Sequence, residues 1–281
     1  RRLANGAFLR ENADVKQAAV DALVDWYYAS SYRVPMGTEE ADKAIAGWLN
    51  QNTGGLLSEE TGNIRTDGND LLRLYNTIYY KSSWRDAFES SRTREDVFTA
   101  ANGAKQKTEF MHRTESGSYR KGDGYTAPRS LNYGRMVFVL PDEGVTPESL
   151  LQRQGFLAEL TGDYSAAELV WSVPKFDVKS STELNGVLQA LGVTDAFDMA
   201  EADFTPLTDN GAFLSSAMQA ARVKIDEEGV EAAAYTEIVC ADSAMMEVPP
   251  TVEMDLDRPF LFVIFDNSNV PLFVGTVNTM A

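Results

Sequence analysis

The chain carries a single cysteine, Cys240, and a single histidine, His112, so the side chains that most often run nucleophilic or metal chemistry are scarce. A thiol–imidazole pair would need these two to meet, and nothing in their spacing predicts it. A small inward-facing cysteine and an ordinary polar histidine are the simpler expectation. Asp and Glu together number 42, yet they are scattered over solvated faces without ligand spacing, so no metal centre is expected. The most distinctive segment is instead Glu227-Glu228-Gly229-Val230-Glu231-Ala232-Ala233-Ala234-Tyr235-Thr236. From Val230 onward its residues alternate. Val230, Ala232, Ala234, Thr236, Ile238 and Cys240 are small or apolar, and between them stand Glu231, Ala233, Tyr235, Glu237 and Val239. That is the pattern of a strand with one buried face. Three successive alanines hold a strand poorly, and the flanking Gly229 gives the backbone a pivot. A segment that suits a sheet but is weakly committed to it can move.

Composition narrows the partners. With 281 residues, 44% of them hydrophobic, the chain can bury a full core. Lys+Arg 25 against Asp+Glu 42 leaves a net charge of −17. Such a surface repels nucleic acid and anionic lipid, and no basic cluster in the sequence offsets it. No run of about 18 apolar residues occurs, so a membrane span is not expected. The chain begins Arg1-Arg2 and shows no signal-peptide pattern, as expected of a processed or truncated chain.

The elements that must position the alternating segment are those of a single mixed α/β domain without repeats. Asp14 to Tyr28 carries a helical stripe at Val15, Ala19, Leu23 and Trp26. Thr38 caps a second helix that runs through Trp48 and Leu49 and stops near Gly54-Gly55, with Glu39 and Glu40 favouring its positive end. Leu71 to Tyr80, an apolar and aromatic run with Trp84 beyond it, reads as a central strand. Arg135 to Leu140 reads as a strand, Pro147 to Leu160 as a helix, and Leu169 to Val178 as a strand again. Pro259 to Phe265 and Pro271 to Val277 flank the turn Asp266-Asn267-Ser268-Asn269, and both are apolar enough to be buried on both faces. Cys240 to Pro250 has no period and reads as an exposed loop.

Nine motifs stand in one order along nearly the whole chain: Ala4 to Leu9, Asn76 to Lys81 with Trp84, Phe110-Met111-His112, Val139-Leu140-Pro141, Val173-Pro174-Lys175-Phe176, Leu191-Gly192-Val193, Ala202-Asp203-Phe204, Glu228 to Ala234, and Pro259 to Phe262. Together they resemble the serpins, suicide inhibitors of serine proteases. The resemblance implies an α+β fold with a large central, mostly antiparallel sheet, further sheets, surrounding helices and an exposed reactive loop. It implies one domain over 1–281, lacking the family's usual N-terminal helices. The hinge would be Glu228, Gly229, Val230, Glu231, Ala232, Ala233 and Ala234, within a reactive loop over 229–250. Asn76, Trp84 and Gln219 would mark the region where the sheet opens. Gln219 stands where the family usually has a histidine that pairs with the position of Asn76. That contact is expected to survive, without its pH dependence.

The mechanism so implied has no catalytic residue and no cofactor. A protease attacks a bait bond, and the cleaved loop inserts as a strand and traps the acyl-enzyme. Val230 replaces the usual threonine or serine, and an uncharged β-branched residue suits insertion. Family spacing puts the bait bond at Ser243-Ala244, and counting back from Pro249-Pro250 favours Met246-Glu247, with Met245 also a candidate. No cation occurs between Val230 and Thr251, so a trypsin-like acidic pocket has no partner here. Elastase-like, subtilisin-like or chymotrypsin-like enzymes are the expected targets, and a cysteine protease remains open. Such an inhibitor would act outside the cell or at its surface, as a monomer. The alternatives are a non-inhibitory serpin that binds or carries a ligand, or an inactive fragment.

Overall fold

The structure is a computed structural model that describes residues 2–130, 135–214, 217–230 and 249–280. The chain forms two compact units, one from Arg1–Tyr80 with Lys179–Arg222 and one from Lys81–Val178 with Val223–Ala281. In chain order the first unit holds β1 (Arg2–Arg10), α1 (Gln17–Tyr27), β2 (Ala29–Val34), α2 (Glu39–Asn52), the single turn α3 (Ser58–Thr61) and β3 (Leu72–Tyr79). The second holds β4 (Ser82–Ser83), β5 (Arg94–Thr99), β6 (Lys105–Gly122), β7 (Tyr125–Ser130), β8 (Arg135–Pro141), α4 (Pro147–Leu151), α5 (Phe156–Glu159) and β9 (Ser165–Pro174). After β10 (Phe176–Glu183), α6 (Asn185–Ala190) and β11 (Met218–Ile225) come β12 (Gly229–Val230), β13 (Thr251–Asp255), β14 (Phe260–Phe265) and β15 (Pro271–Val277). Among the described residues no helix is long and apolar enough to cross a membrane.

In the first unit β1 lies between β2, parallel to it, and β3, antiparallel. Being central, β1 buries Ala7, Phe8 and Leu9 in succession rather than alternately. Helix α2 closes that sheet with Ile45, Trp48 and Leu49, which cluster with Phe8, Val34 and Met36. Gly6 is what lets the helix come so near, because a β-carbon there would meet the Trp48 indole at 2.9 Å. The expected cap of α2 is present, with the Thr38 hydroxyl accepting from the Ala41 amide at 3.3 Å. Three acids, Glu39, Glu40 and Asp42, follow in the first turn.

In the second unit the order is β13-β9-β6-β7-β8-β14-β15, with β5 also on β6. β13 runs parallel to β9 and the other pairs are antiparallel. Beneath it Tyr125, Val137, Val139, Leu261, Val263 and Phe265 form an apolar cluster with Leu150, Phe156 and Leu160 from the α4–α5 segment. The fold is α+β, with a large mixed sheet and helices packed on sheet faces.

Several sequence expectations need correction. The helix expected over Asp14 to Tyr28 begins at Gln17 and has no buried residue, Trp26 being exposed. Among the described residues Leu72–Tyr79 is the end strand of its sheet, not a central one. The Pro147–Leu160 helix is broken into two short pieces by Gly155, which takes a left-handed conformation. The strand expected from Leu169 to Val178 is two strands, because at Lys175 the chain leaves one sheet for another. β14 is buried throughout, but β15 ends its sheet and keeps Val274 exposed, so it is not covered on both faces.

The Thr38 cap yields a prediction. Thr38→Ala should lower stability by about 0.5–2 kcal/mol, as for other lost caps. Urea unfolding would show the midpoint moving down with an unchanged slope, and an unmoved midpoint would contradict the cap.

Candidate functional site

The alternating segment enters the structure as a strand only two residues long. Val230 pairs antiparallel with Ile225 of β11 on one side and with Ser82 of β4 on the other, while Gly229 faces Ser83. Both residues are buried, Val230 to 4% exposure. The chain reaches this slot through a tight reversal at Asp226–Gly229. The Asp226 amide donates to the Gly229 carbonyl at 3.0 Å, and the Asp226 carboxylate accepts from the Glu228 amide at 3.0 Å. Gly229 has φ +153°, and a β-carbon on it would lie 2.2 Å from the Ser82 carbonyl oxygen and 2.7 Å from the Ser83 Cα. No side chain fits there, so the pivot glycine is a steric necessity.

Trp84 fastens the reversal from below. Its indole Nε1 donates to the Asp226 carbonyl at 2.8 Å and its amide to the Glu228 carbonyl at 3.0 Å. The Phe88 amide donates to the Glu227 carbonyl at 2.9 Å. Under Trp84 lies the buried Arg113 guanidinium, 4.3 Å from the Phe88 ring centre and 5.8 Å from that of Trp84. Burial pushes the Arg113 pKa down, and Glu115, paired with it at 2.8 Å, works against that shift. Glu115 also accepts from the Trp171 indole at 2.8 Å, and Trp171 meets Phe138 edge-on beside Trp84.

The Glu227 side chain forms a second fastening. Its Oε1 accepts from the Thr93 hydroxyl at 2.8 Å and lies 3.4 Å from Lys175 Nζ, which is 3.2 Å from Glu109. Burial tends to raise the Glu227 pKa, but its own backbone amide, Thr93 and Lys175 outweigh it and hold the carboxyl below its ordinary value. Lys175 is shifted upward: burial opposes its charge, and the hydrogen bond to Glu109 and the charge of Glu227 overcome that.

The structure brings together Glu228, Gly229, Val230 and Trp84 of the residues expected from sequence. It does not form the expected contact of Asn76 with Gln219. The Asn76 amide donates to Asn5 Oδ1 at 2.7 Å, and the Gln219 side chain is exposed. Asn5 stands directly opposite Asn76 in the β1–β3 register, so it is the nearer partner. Glu231, Ala232, Ala233 and Ala234, the bait candidates Ser243, Ala244, Met245, Met246 and Glu247, and Cys240 lie outside the described residues. His112 sits in β6 with Nε2 buried and unbonded. Burial, then Arg94, lowers its pKa, so the imidazole is neutral. No group of three potential metal ligands occurs among the described residues.

A profile of the serpin family, described as serpin (serine protease inhibitor), matches residues 1–280. The chain belongs to the serpin family. Serpin-Z1C of Triticum aestivum is 30% identical over 98% of this chain and 73% of its own length. Tengpin, a thermophilic serpin solved in its native state, superposes with a TM-score of 0.82 at 27% identity, covering 99% of this chain and 73% of tengpin. Human thyroxine-binding globulin complexed with thyroxine superposes at 0.81 with 23% identity, over 99% of this chain and 75% of that one, a likeness of fold alone. This serpin thus spans about three quarters of these proteins. The family includes inhibitors of proteases and members that bind a small molecule.

Sequence reasoning missed Thr93, Glu109, Arg113 and Glu115 as parts of this serpin's site. Lys175 and Glu227 both lay in segments already singled out, but their pairing spans 52 positions and no local period marks it.

Gly229→Ala should expel the two-residue strand, speeding exchange of the Asp226 and Trp84 amides by at least about tenfold. Unchanged protection would sink the steric account. Glu227→Gln should cost about 1.5–3 kcal/mol at pH 7, the range for a hydrogen bond to a charged group. Because the folded pKa is depressed, this stability is present above the unfolded carboxyl pKa and is lost as pH falls through the folded one. Urea midpoints of the two proteins should therefore converge in acid, and a difference independent of pH would argue against the ionised carboxylate.

Proposed function

We propose that this chain is the suicide-inhibitor portion of a serpin, trapping a serine protease by inserting its cleaved loop into the sheet between β11 and β4. The observation that carries the reading is the placement of Gly229 and Val230, already paired on both sides at the mouth of that slot. A strand that has begun to insert needs no new nucleus, since each further residue adds ladder bonds to edges already aligned. Every second residue that would follow is small or apolar, Ala232, Ala234, Thr236, Ile238 and Cys240, which suits a strand that buries one face.

In this reading the protease serine oxygen attacks the carbonyl of Ser243. The peptide bond to Ala244 breaks, Ala244 leaves as a free amine, and Ser243 is held as an ester. Insertion from Val230 onward then carries the tethered enzyme away before water reaches the ester. Met245 and Met246 are the other candidates at the bond. The absence of a cation from 231 to 250 favours enzymes with small or apolar pockets, elastase-like, subtilisin-like or chymotrypsin-like, acting outside the cell.

The test mixes the protein with a pancreatic-type elastase and reads a denaturing gel with intact-mass analysis. A stable covalent band with release of a C-terminal peptide beginning at Ala244 is expected. Cleavage without a covalent band would overturn inhibition by this chain and favour a non-inhibitory or inactive serpin. Val230→Arg, which puts a charge where the structure buries a valine, should convert inhibition to substrate cleavage, cutting covalent complex by at least about tenfold given the cost of burying an unpaired charge. Complex formation undiminished in that variant would refute insertion through this slot.

A further inference from the structure

The sequence holds four Asn-Gly pairs, Asn5-Gly6, Asn102-Gly103, Asn185-Gly186 and Asn210-Gly211. In such a pair the glycine amide can attack the carboxamide of the asparagine before it, because glycine has no β-carbon to obstruct the approach. Local chemistry is the same at all four, so the fold decides which can react. Ring closure needs a free carboxamide, a free glycine amide and a backbone able to leave strand and helix dihedrals.

Three of the four are held. Asn5 lies in β1, the middle strand of its sheet, and its side chain donates to the Tyr27 carbonyl and accepts from Asn76 at 2.7 Å. Asn102 Oδ1 accepts from the Ala104 amide at 3.0 Å, and the Gly103 amide donates to the Ala100 carbonyl at 2.8 Å. Asn185 opens α6, and its Oδ1 accepts from the Ala217 amide at 2.7 Å. Asn210 and Gly211 differ. Both are exposed and outside any helix or strand. Among the described residues neither the Asn210 carboxamide nor the Gly211 amide has a hydrogen-bond partner. A β-carbon at Gly211 would meet nothing within 4 Å, so the backbone has room to turn. The pair hangs between two anchors within one compact unit. Before it, the Leu207 carbonyl accepts from the Lys16 amide at 2.9 Å, Asp209 pairs with Lys16 Nζ at 2.5 Å, and the Asn210 amide donates to the Thr208 hydroxyl at 3.2 Å. After it, the Leu214 amide donates to the Ala196 carbonyl at 2.7 Å.

We propose that Asn210 is a site of spontaneous deamidation in the folded chain, yielding aspartate and isoaspartate at that position. The Gly211 nitrogen attacks Asn210 Cγ and the new bond closes a succinimide ring. The Cγ–Nδ2 bond breaks, and the side-chain nitrogen leaves as ammonia with the proton given up by the Gly211 amide. Water then opens the ring at one of two bonds. Breaking the bond from Cγ to the Gly211 nitrogen leaves an ordinary aspartate. Breaking the bond from the Asn210 backbone carbonyl carbon leaves the chain running through Cγ, longer by one methylene. Water is the sole co-reactant. Each event replaces a neutral amide by a carboxylate next to Asp209, making the chain one charge more negative than −17. The inference is independent of the inhibitory reading.

The test ages the 281-residue chain in mildly alkaline heavy-oxygen water, then digests it in acidic ordinary water and maps the peptides by mass. Heavy oxygen should enter at Asn210 at least about tenfold faster than at Asn5, Asn102 or Asn185, because those sites must first open locally. Isoelectric focusing of the aged chain should show a band growing on the acidic side, close to that of Asn210→Asp. In urea, where no site is held, the advantage of Asn210 should disappear. Gly211→Ala, which the open space at Gly211 admits, should slow the native reaction by at least about tenfold, since a β-carbon obstructs the attacking amide. Label entering first at another of the four in the folded chain, or equally at all of them, would overturn the proposal. So would an undiminished rate in Gly211→Ala, or no label at Asn210 in the time the unfolded chain takes to convert.

Discussion

Everything at the slot depends on one steric fact, that the chain passes the Ser82–Ser83 backbone too closely for any β-carbon at Gly229. Without that approach Val230 could not pair with Ile225 and Ser82 together. The bonds from Trp84 to the carbonyls of Asp226 and Glu228 would also lose their acceptors. A two-residue strand gains little by itself, since so few ladder bonds offset the entropy of ordering it. It persists because the reversal before it is fastened from several directions.

The fastenings divide into an apolar floor and a charged clasp. Trp84, Phe88, Phe138 and Trp171 pack by ring edges and faces around the Arg113 guanidinium. The Arg113–Glu115 pair within that floor is costly to desolvate, so its attraction is largely offset and adds little net stability. The Glu227–Thr93–Lys175 clasp is less deeply set and holds the reversal itself. Its ionisation ties the seat of the two-residue strand to pH in a way the floor does not.

What the sequence determined by itself was the kind of element and the order of the motifs. The alternation after Gly229, the cap at Thr38 and the apolar run of β14 each have a local physical cause, so each was legible without a fold, as was the family. Tertiary structure alone decided which strands end a sheet. That is why β3 proved terminal and β15 half-covered although their composition suits a centre. It also decided partners: Asn76 bonds to Asn5 because β1 puts Asn5 opposite it, not to Gln219. Glu227 and Lys175 likewise find each other only after two sheets have formed around them. Local chemistry sets what a residue can do, but long-range pairing sets what it meets, and no period in a linear chain encodes that distance.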